Sequence, residues 1–308
     1  MPRKLPIALW GLLIFWGAAA FSAPPQLAII IDDIGYSAPL GERSLRLKGD
    51  FTYAILPQAP QGARLARLGA ELGKEIMVHN PMSTLKPRPL DAGALTEQMS
   101  YPEFQHTLTQ NLVAIPQARG LNNHMGSRLT QDPQAMGWLM KRLGDQGYYF
   151  IDSRTTADSQ AWETARHYRV PTLKRDVFLD HDQDILQIAR QVDQAIQLAK
   201  SRGYALAIGH PHPETLAVLE QLGPALEASG VALVPVSTLL QRPEAAPRHY
   251  TALCLAPPIS LWKRPDTLPG VDRPLIVSQQ TWLRQALHPA LDNPTPLHQN
   301  QHLLLNRD

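Results

Sequence analysis

Between residues 27 and 240 the chain alternates short, nearly continuous apolar runs with longer stretches in which apolar positions recur every three or four residues. The short runs are Leu27 to Ile31, Phe51 to Leu56, Glu75 to Val78, Arg119 to Asn122, Tyr148 to Ile151, Thr172 to Phe178, Tyr204 to Ile208 and Val231 to Val236. Because most lack polar alternation, they read as strands buried on both faces. The periodic stretches, Gly62 to Gly73, Thr96 to Ile115, Pro133 to Gln146, Ser159 to Tyr168, Asp184 to Arg202 and Pro213 to Ser229, read as helices. Several open behind Asp, Ser or Thr and several close at Gly, the chemistry of helix caps. Strand and helix in strict alternation predict an α/β fold with a parallel sheet, and seven or eight such units favour a barrel.

The rhythm stops after Leu240. Arg242-Pro243, Ala246-Pro247 and Pro257-Pro258 interrupt the chain, so residues 241–308 are expected to form a loosely structured Pro-rich extension. Within it, Leu253 to Leu261 and Trp282 to Leu287 are the stretches suited to docking on the barrel. At the other end, Arg3 and Lys4 precede an apolar run from Leu5 to Ala20, followed by Ser22 and Ala23. That layout predicts a signal peptide over residues 1–23, cleaved near Ser22 or Ala23, and a periplasmic or secreted protein. The run is short of the roughly 20 residues that span a bilayer. A retained membrane anchor is the competing expectation. The barrel then occupies residues 24–240.

Without Arg3 and Lys4 the 29 basic residues fall to 27, equal to the 27 acidic ones, so no electrostatic footprint for nucleic acid is present. Cys254 is the single cysteine, which leaves an exported domain without an internal disulfide. At 44% hydrophobic residues, a core of ordinary size can hold it.

Residues of metal-binding and acid–base type cluster behind the predicted strands, the ends that form the active face of an α/β barrel. Asp32 and Asp33 follow the first, His79 the third, His124 the fourth and Asp152 the fifth. Asp176 and Asp180 lie at the end of the sixth, and His210 and His212 follow the seventh. Taken singly, an Asp-Asp pair is more often a cap or turn, and a lone His more often structural. Jointly, two histidines and an aspartate on neighbouring strand ends supply three ligands and an open coordination position.

The segments IIIDDIGYS, MVHNPM, GLNNHMGSRLT, YYFIDSRTT, RDVFLD and AIGHPHPETL resemble, in this order and spacing, the divergent polysaccharide deacetylase family. The resemblance implies a distorted (β/α)7-8 barrel related to carbohydrate esterases that remove N-acetyl groups from chitin-like sugars and peptidoglycan. It implies Asp32 as catalytic base and Asp33 as metal ligand. Ordinary relatives supply both metal histidines from one His-x-x-x-His, whereas the residue four past His79 is Ser83, so His124 is the substitute expected beside Asp33 and His79.

The expected reaction is deacetylation of an N-acetylated glycan such as peptidoglycan, assisted by one divalent ion, zinc being the best match to two imidazoles and a carboxylate. Asp32 would take a proton from water, kept ionised by neighbouring positive charge, and His210 would protonate the leaving amine. Asp176 or Asp180 would orient His210, with His212 its competitor. Arg154 and Arg175 are placed to pair with Asp32 or to bind substrate oxygens, and Asn122, Asn123 and Ser127 flank His124 as supporting or sugar-binding residues; ion pairing and turn chemistry are the plainer alternatives. A metal- or glycan-binding envelope protein without catalysis is the second functional expectation. An envelope protein partner and the oligomeric state are left open.

Overall fold

The computed structural model describes residues 23–242; the expected signal segment, but for its last residue, and the chain from residue 243 lie outside the described residues. Strands β1 (Gln26–Ile34), β2 (Thr52–Ile55), β3 (Glu75–Met82), β4 (Gly120–Met125), β5 (Tyr149–Asp152), β6 (Thr172–Lys174), β7 (Val177–Phe178), β8 (Tyr204–Gly209) and β9 (Ala232–Leu233) form one parallel sheet. Their order is β6-β5-β4-β3-β2-β1-β8-β7, with β9 beside the start of β1. The helices are α1 (Ala38–Leu45), α2 (Gly62–Glu71), α3 (Tyr101–Ala114), α4 (Pro133–Gln146), α5 (Ala161–His167), α6 (Ile185–Arg202), α7 (Pro213–Glu220), α8 (Leu222–Ser229) and α9 (Val236–Leu239).

The two ends of the sheet, β6 and β7, are separated only by Arg175 and Asp176. Between those two residues the backbone changes partner. The Arg175 N–H donates to the Asp152 carbonyl at the end of β5, and the Asp176 N–H donates to the Leu206 carbonyl of β8, each at 2.9 Å. The sheet therefore curls until its edges meet in one chain segment, giving the distorted barrel of the polysaccharide deacetylase type. This corrects the expectation of a single strand over Thr172 to Phe178: one straight strand here would bond only one edge.

Period-two alternation divides the core. Leu27, Ile29 and Ile31 face the helical layer, whereas Ala28 and Ile30 join Ala54, Met77, Ile151, Leu206 and Ile208 in a second cluster inside the sheet. Val236 and Leu239 of α9 belong to that interior cluster and close the end where the strands begin. Besides α9, which was not expected, other helices differ from expectation. α1 forms behind the Ser37 cap, whose hydroxyl accepts the Leu40 N–H at 3.3 Å. α3 starts at Tyr101 rather than Thr96, because Ser100 and Glu103 build a capping box there. The helix expected over Pro213 to Ser229 breaks at Gln221 into α7 and α8. Among the described residues no helix is long and apolar enough to cross a membrane.

Candidate active site

Two consecutive residues of a regular strand face opposite sides. Asp32 continues the inward line of Ala28 and Ile30, so a regular β1 would turn Asp33 away from it. Instead Asp33 adopts φ 56°, and the pairing with β2 slips between Ile31 and Ile34. That irregularity brings both carboxylates to one cleft of about 530 Å³ at the C-terminal mouth of the barrel.

β3 and β4 supply the histidines. His79 is buried and its register partner on β4 is Asn122. The His79 Nδ1 lies 2.7 Å from the Asn122 Oδ1, and the Asn122 amide donates to the Asp32 Oδ1 at 2.8 Å. An amide oxygen only accepts, so His79 carries its proton on Nδ1 and presents Nε2 to the cleft. That Nε2 is 3.0 Å from the Asp33 Oδ1 and 3.1 Å from the His124 Nδ1, which is itself 2.8 Å from the same Asp33 oxygen. The other ring nitrogen of His124, Nε2, sits 3.0 Å from the Asp91 Oδ2, and Asp91 also accepts a hydrogen bond from the Tyr36 hydroxyl.

One carboxylate oxygen and two imidazole nitrogens thus converge on one point. The contacts are close without the direction of hydrogen bonds, since the Asp33 Oδ1 is buried with no hydrogen-bond partner. Such a donor set fits a divalent cation of the zinc type. Burial opposes ionisation of Asp33, but the His124 and His79 rings outweigh it and hold the carboxyl far below its usual range. Asp32 behaves in the opposite way. Burial, the largest influence, raises its carboxyl against the pull of His79, His210 and the Asn122 amide. Among the protein's own groups burial is thus the largest influence on Asp32, and the positive charge expected to favour its ionised form would come from the cation held beside it.

His210 stands directly after β8. Its Nδ1 is 2.9 Å from the Asp180 Oδ1, and Asp180 also takes the Thr215 hydroxyl at 2.9 Å. The His210 Nε2 faces the Asp33 Oδ2 at 3.8 Å. Burial favours the neutral ring, but the hydrogen bond and charge of Asp180, with smaller help from Asp33 and Asp32, push His210 up to about 9.

The structure therefore brings together Asp32, Asp33, His79, His124, Asn123, Arg154, Arg175 and His210 at the cleft. It does not bring in Asp176, which pairs with Arg202 and accepts the Leu206 N–H at 2.9 Å; the carboxylate on His210 is Asp180. Asp152 is buried beneath the mouth, accepting from the Arg154 N–H and the Ser159 hydroxyl, each at 2.8 Å. Ser127 accepts the Leu85 N–H at 3.1 Å, and Asn123 braces the mouth by accepting the Ser153 N–H at 2.9 Å. His212 precedes α7, its Nε2 3.2 Å from Gln183 Nε2. Asp180, His210 and His212 bring ligand atoms within 4.8 Å of one another, but Asp180 is already occupied by His210 and Thr215. Arg175 does not pair with Asp32. It donates to the carbonyls of Ser153 and Arg154 at 2.7 and 3.0 Å and lies over the Phe178 ring. Arg88, Asp91 and Tyr36 were not singled out by sequence reasoning; they sit on loops without periodicity.

The barrel carries at its mouth an Asp and two His that could together hold a metal ion, beside a His–Asp pair. Residues 29–240 match the model of the divergent polysaccharide deacetylase family, and the chain belongs to that family. It is similar to the uncharacterized protein YibQ of Escherichia coli K12, at 36% identity over 235 residues, covering 75% of this chain and 73% of that protein. An uncharacterized protein of Haemophilus influenzae is 35% identical over 198 residues, covering 64% of this chain and 71% of its own length. The fold matches the crystal structure of an uncharacterized protein from Agrobacterium tumefaciens C58 with a TM-score of 0.68 at 21% identity, covering 71% of this chain and 91% of that one.

Proposed function

We propose that the protein is a metal-dependent hydrolase that removes acetyl groups from an N-acetylated glycan of the cell envelope, peptidoglycan being the leading substrate class. The observation that carries this reading is the convergence of the Asp33 Oδ1, His79 Nε2 and His124 Nδ1 beside Asp32 and the His210–Asp180 pair. Family membership supports the carbohydrate hydrolase class. Export through the Arg3-Lys4 and Leu5 to Ala20 segment belongs to the same proposal.

Asp33, His79 and His124 would hold one divalent ion, zinc first, which when bound supplies Lewis acidity to an acyl carbonyl. The protein's own groups account for the proton movements. Asp32, with its carboxyl raised by burial, is a stronger base than an exposed aspartate and is fixed by the Asn122 amide. It takes a proton from the attacking water. His210, charged at neutral pH and aligned by Asp180, gives a proton to the departing amine. His210 directly follows β8 and Asp32 lies on β1, so proton delivery and uptake would occur at separate positions.

The test is metal analysis of purified protein followed by acetate release from N-acetylated and O-acetylated glycans. One equivalent of divalent ion is expected, with His124→Ala losing it as fully as His79→Ala. Full occupancy in His124→Ala overturns the ligand set. Tight metal and glycan binding without acetate release from any substrate replaces the enzyme by the binding-protein reading.

A further inference from the structure

Arg154 is held in a backbone conformation that an arginine does not adopt freely. Its φ of 52° is left-handed, disfavoured for any residue with a Cβ. A buried carboxylate and a half-buried guanidinium impose it. The carboxylate of Asp152 accepts the Arg154 N–H at 2.8 Å and is itself fixed by Ser159, while Arg175 donates to the Arg154 carbonyl at 3.0 Å. The strained turn places Arg154 on the wall of the cleft, next to the carboxylates and histidines. Among the described residues its guanidinium has no hydrogen-bond or ion-pair partner. Asp152 feels its charge only at longer range. Arg88, from the loop after β3, lines the same cleft in the same unpaired state.

The charge of the cleft departs from that of the chain. The whole sequence carries +2 across 308 residues, whereas the cavity wall carries Arg88, Arg154 and Arg175 against two carboxylates, Asp32 and Asp33, with Asp152 buried beneath it. A divalent ion on Asp33, His79 and His124 would add to the excess. Unpaired guanidiniums beside a cationic centre select anions, and their planar fork matches carboxylate and phosphate oxygens. A wholly neutral sugar chain would cover these charges without neutralising them.

We propose that Arg154, assisted by Arg88, forms an anion subsite, so that the glycan acted on carries a carboxylate or phosphate close to its acetylated sugar. This rests on the glycan-hydrolase reading and narrows its substrate class. The experiment is calorimetric binding of matched oligosaccharides to metal-loaded full-length protein: neutral, carboxylated, phosphorylated, and carboxylated with the acid masked as an amide. One anionic form is expected to bind about 10- to 100-fold tighter than the neutral and masked forms, the range of a charge-assisted hydrogen bond. Arg154→Gly accepts the left-handed turn without strain. It should keep metal content and melt no lower than wild type, yet bind anionic and neutral glycans alike, while Arg154→Lys restores part of the preference. Equal binding of all four glycans by wild type, with acetate still released, removes the subsite and leaves the hydrolase standing. A lower melting temperature with the preference intact in Arg154→Gly makes Arg154 structural and overturns the proposal. Neither binding nor acetate release from any glycan fails the hydrolase reading itself.

Discussion

Glu75 and Asp32 are both buried acids of the same barrel, and the protein treats them in opposite ways. Glu75 opens β3 at the end where the strands begin, and its Oε1 accepts the Thr52 hydroxyl at 2.9 Å and the Tyr149 hydroxyl and Ser237 N–H at 3.1 Å each. Gly120 makes room for this network, since a Cβ there would lie 2.2 Å from the Tyr149 ring. At the mouth, Asp32 has one good donor, Asn122, and neighbouring Asp33 has a buried oxygen with no hydrogen bond. Three of the four non-glycine residues with positive φ among the described residues, Asp33, Met125 and Arg154, also lie at the mouth. The Glu75 carboxylate, at the floor, is satisfied, and the mouth is strained and incompletely paired. Acids that must meet a ligand are left short of partners, whereas this acid, which ties β2, β3 and β5 together, is well bonded.

The sharpest way to break this contrast is Asp32→Asn. If Asp32 is the base, turnover falls by about 100- to 10,000-fold, the usual contribution of such a group. Metal content should survive, because Asp32 stands 3.7 Å from His79 and outside the converging donor atoms. Removing a desolvated charge should leave the melting temperature equal or higher. Loss of the ion would make Asp32 a ligand, and unchanged turnover would end its role as base.

Glu75→Ala should do the reverse. It strands two buried hydroxyls and the part-buried Ser237 N–H, and at about 1–3 kcal/mol for each buried donor a stability loss of roughly 2–6 kcal/mol is expected in chemical denaturation. Where the variant is folded, its metal affinity should match wild type. A metal defect in folded Glu75→Ala would show that floor and mouth are coupled, through the Glu75-Met77-His79 line of β3.

Much of this arrangement was legible in the sequence. Strands buried on both faces leave continuous apolar runs, and the strand-end rule placed Asp32, Asp33, His79, His124 and His210 on one rim. What escaped depends on geometry that spacing does not encode. Asp176 and Asp180 are equivalent on paper; the break between β6 and β7 turns the first toward Arg202 and the second toward His210. Alternation predicts Asp33 on the wrong side of β1, and only its left-handed backbone corrects this. Asp91 and Arg88 sit in an excursion after β3 whose base is clipped by the Ser83 to Leu95 hydrogen bond at 3.0 Å, and no periodicity marks such a loop. α1 was missed because Pro39, Gly41 and Glu42 dilute its apolar stripe.

Asp180, at the mouth, is paired as fully as Glu75. Asp180 is depressed: burial opposes its ionisation, and the hydrogen bond and charge of His210 outweigh it. His210 is raised to about 9 by the same contact. The unfolded chain has an ordinary histidine near 6.5 and an ordinary aspartate near 3.9. A raised histidine stabilises fully below about 6.5 and loses that contribution as pH climbs through about 9. A depressed aspartate stabilises above about 3.9 and loses its share as the solution becomes more acidic. The pair should therefore contribute most between about pH 4 and 6.5. Asp180→Asn keeps the shape and one acceptor but removes the charge. In metal-free protein, the wild-type advantage in denaturation free energy should be about 2 kcal/mol near pH 5 to 6, and should shrink toward zero by about pH 10. An advantage that persists undiminished to pH 10 would mean that His210 is neutral throughout, joined to Asp180 by an ordinary hydrogen bond. It would then hold no proton to give a leaving amine at neutral pH, and the mouth would lose its acid while keeping its fold.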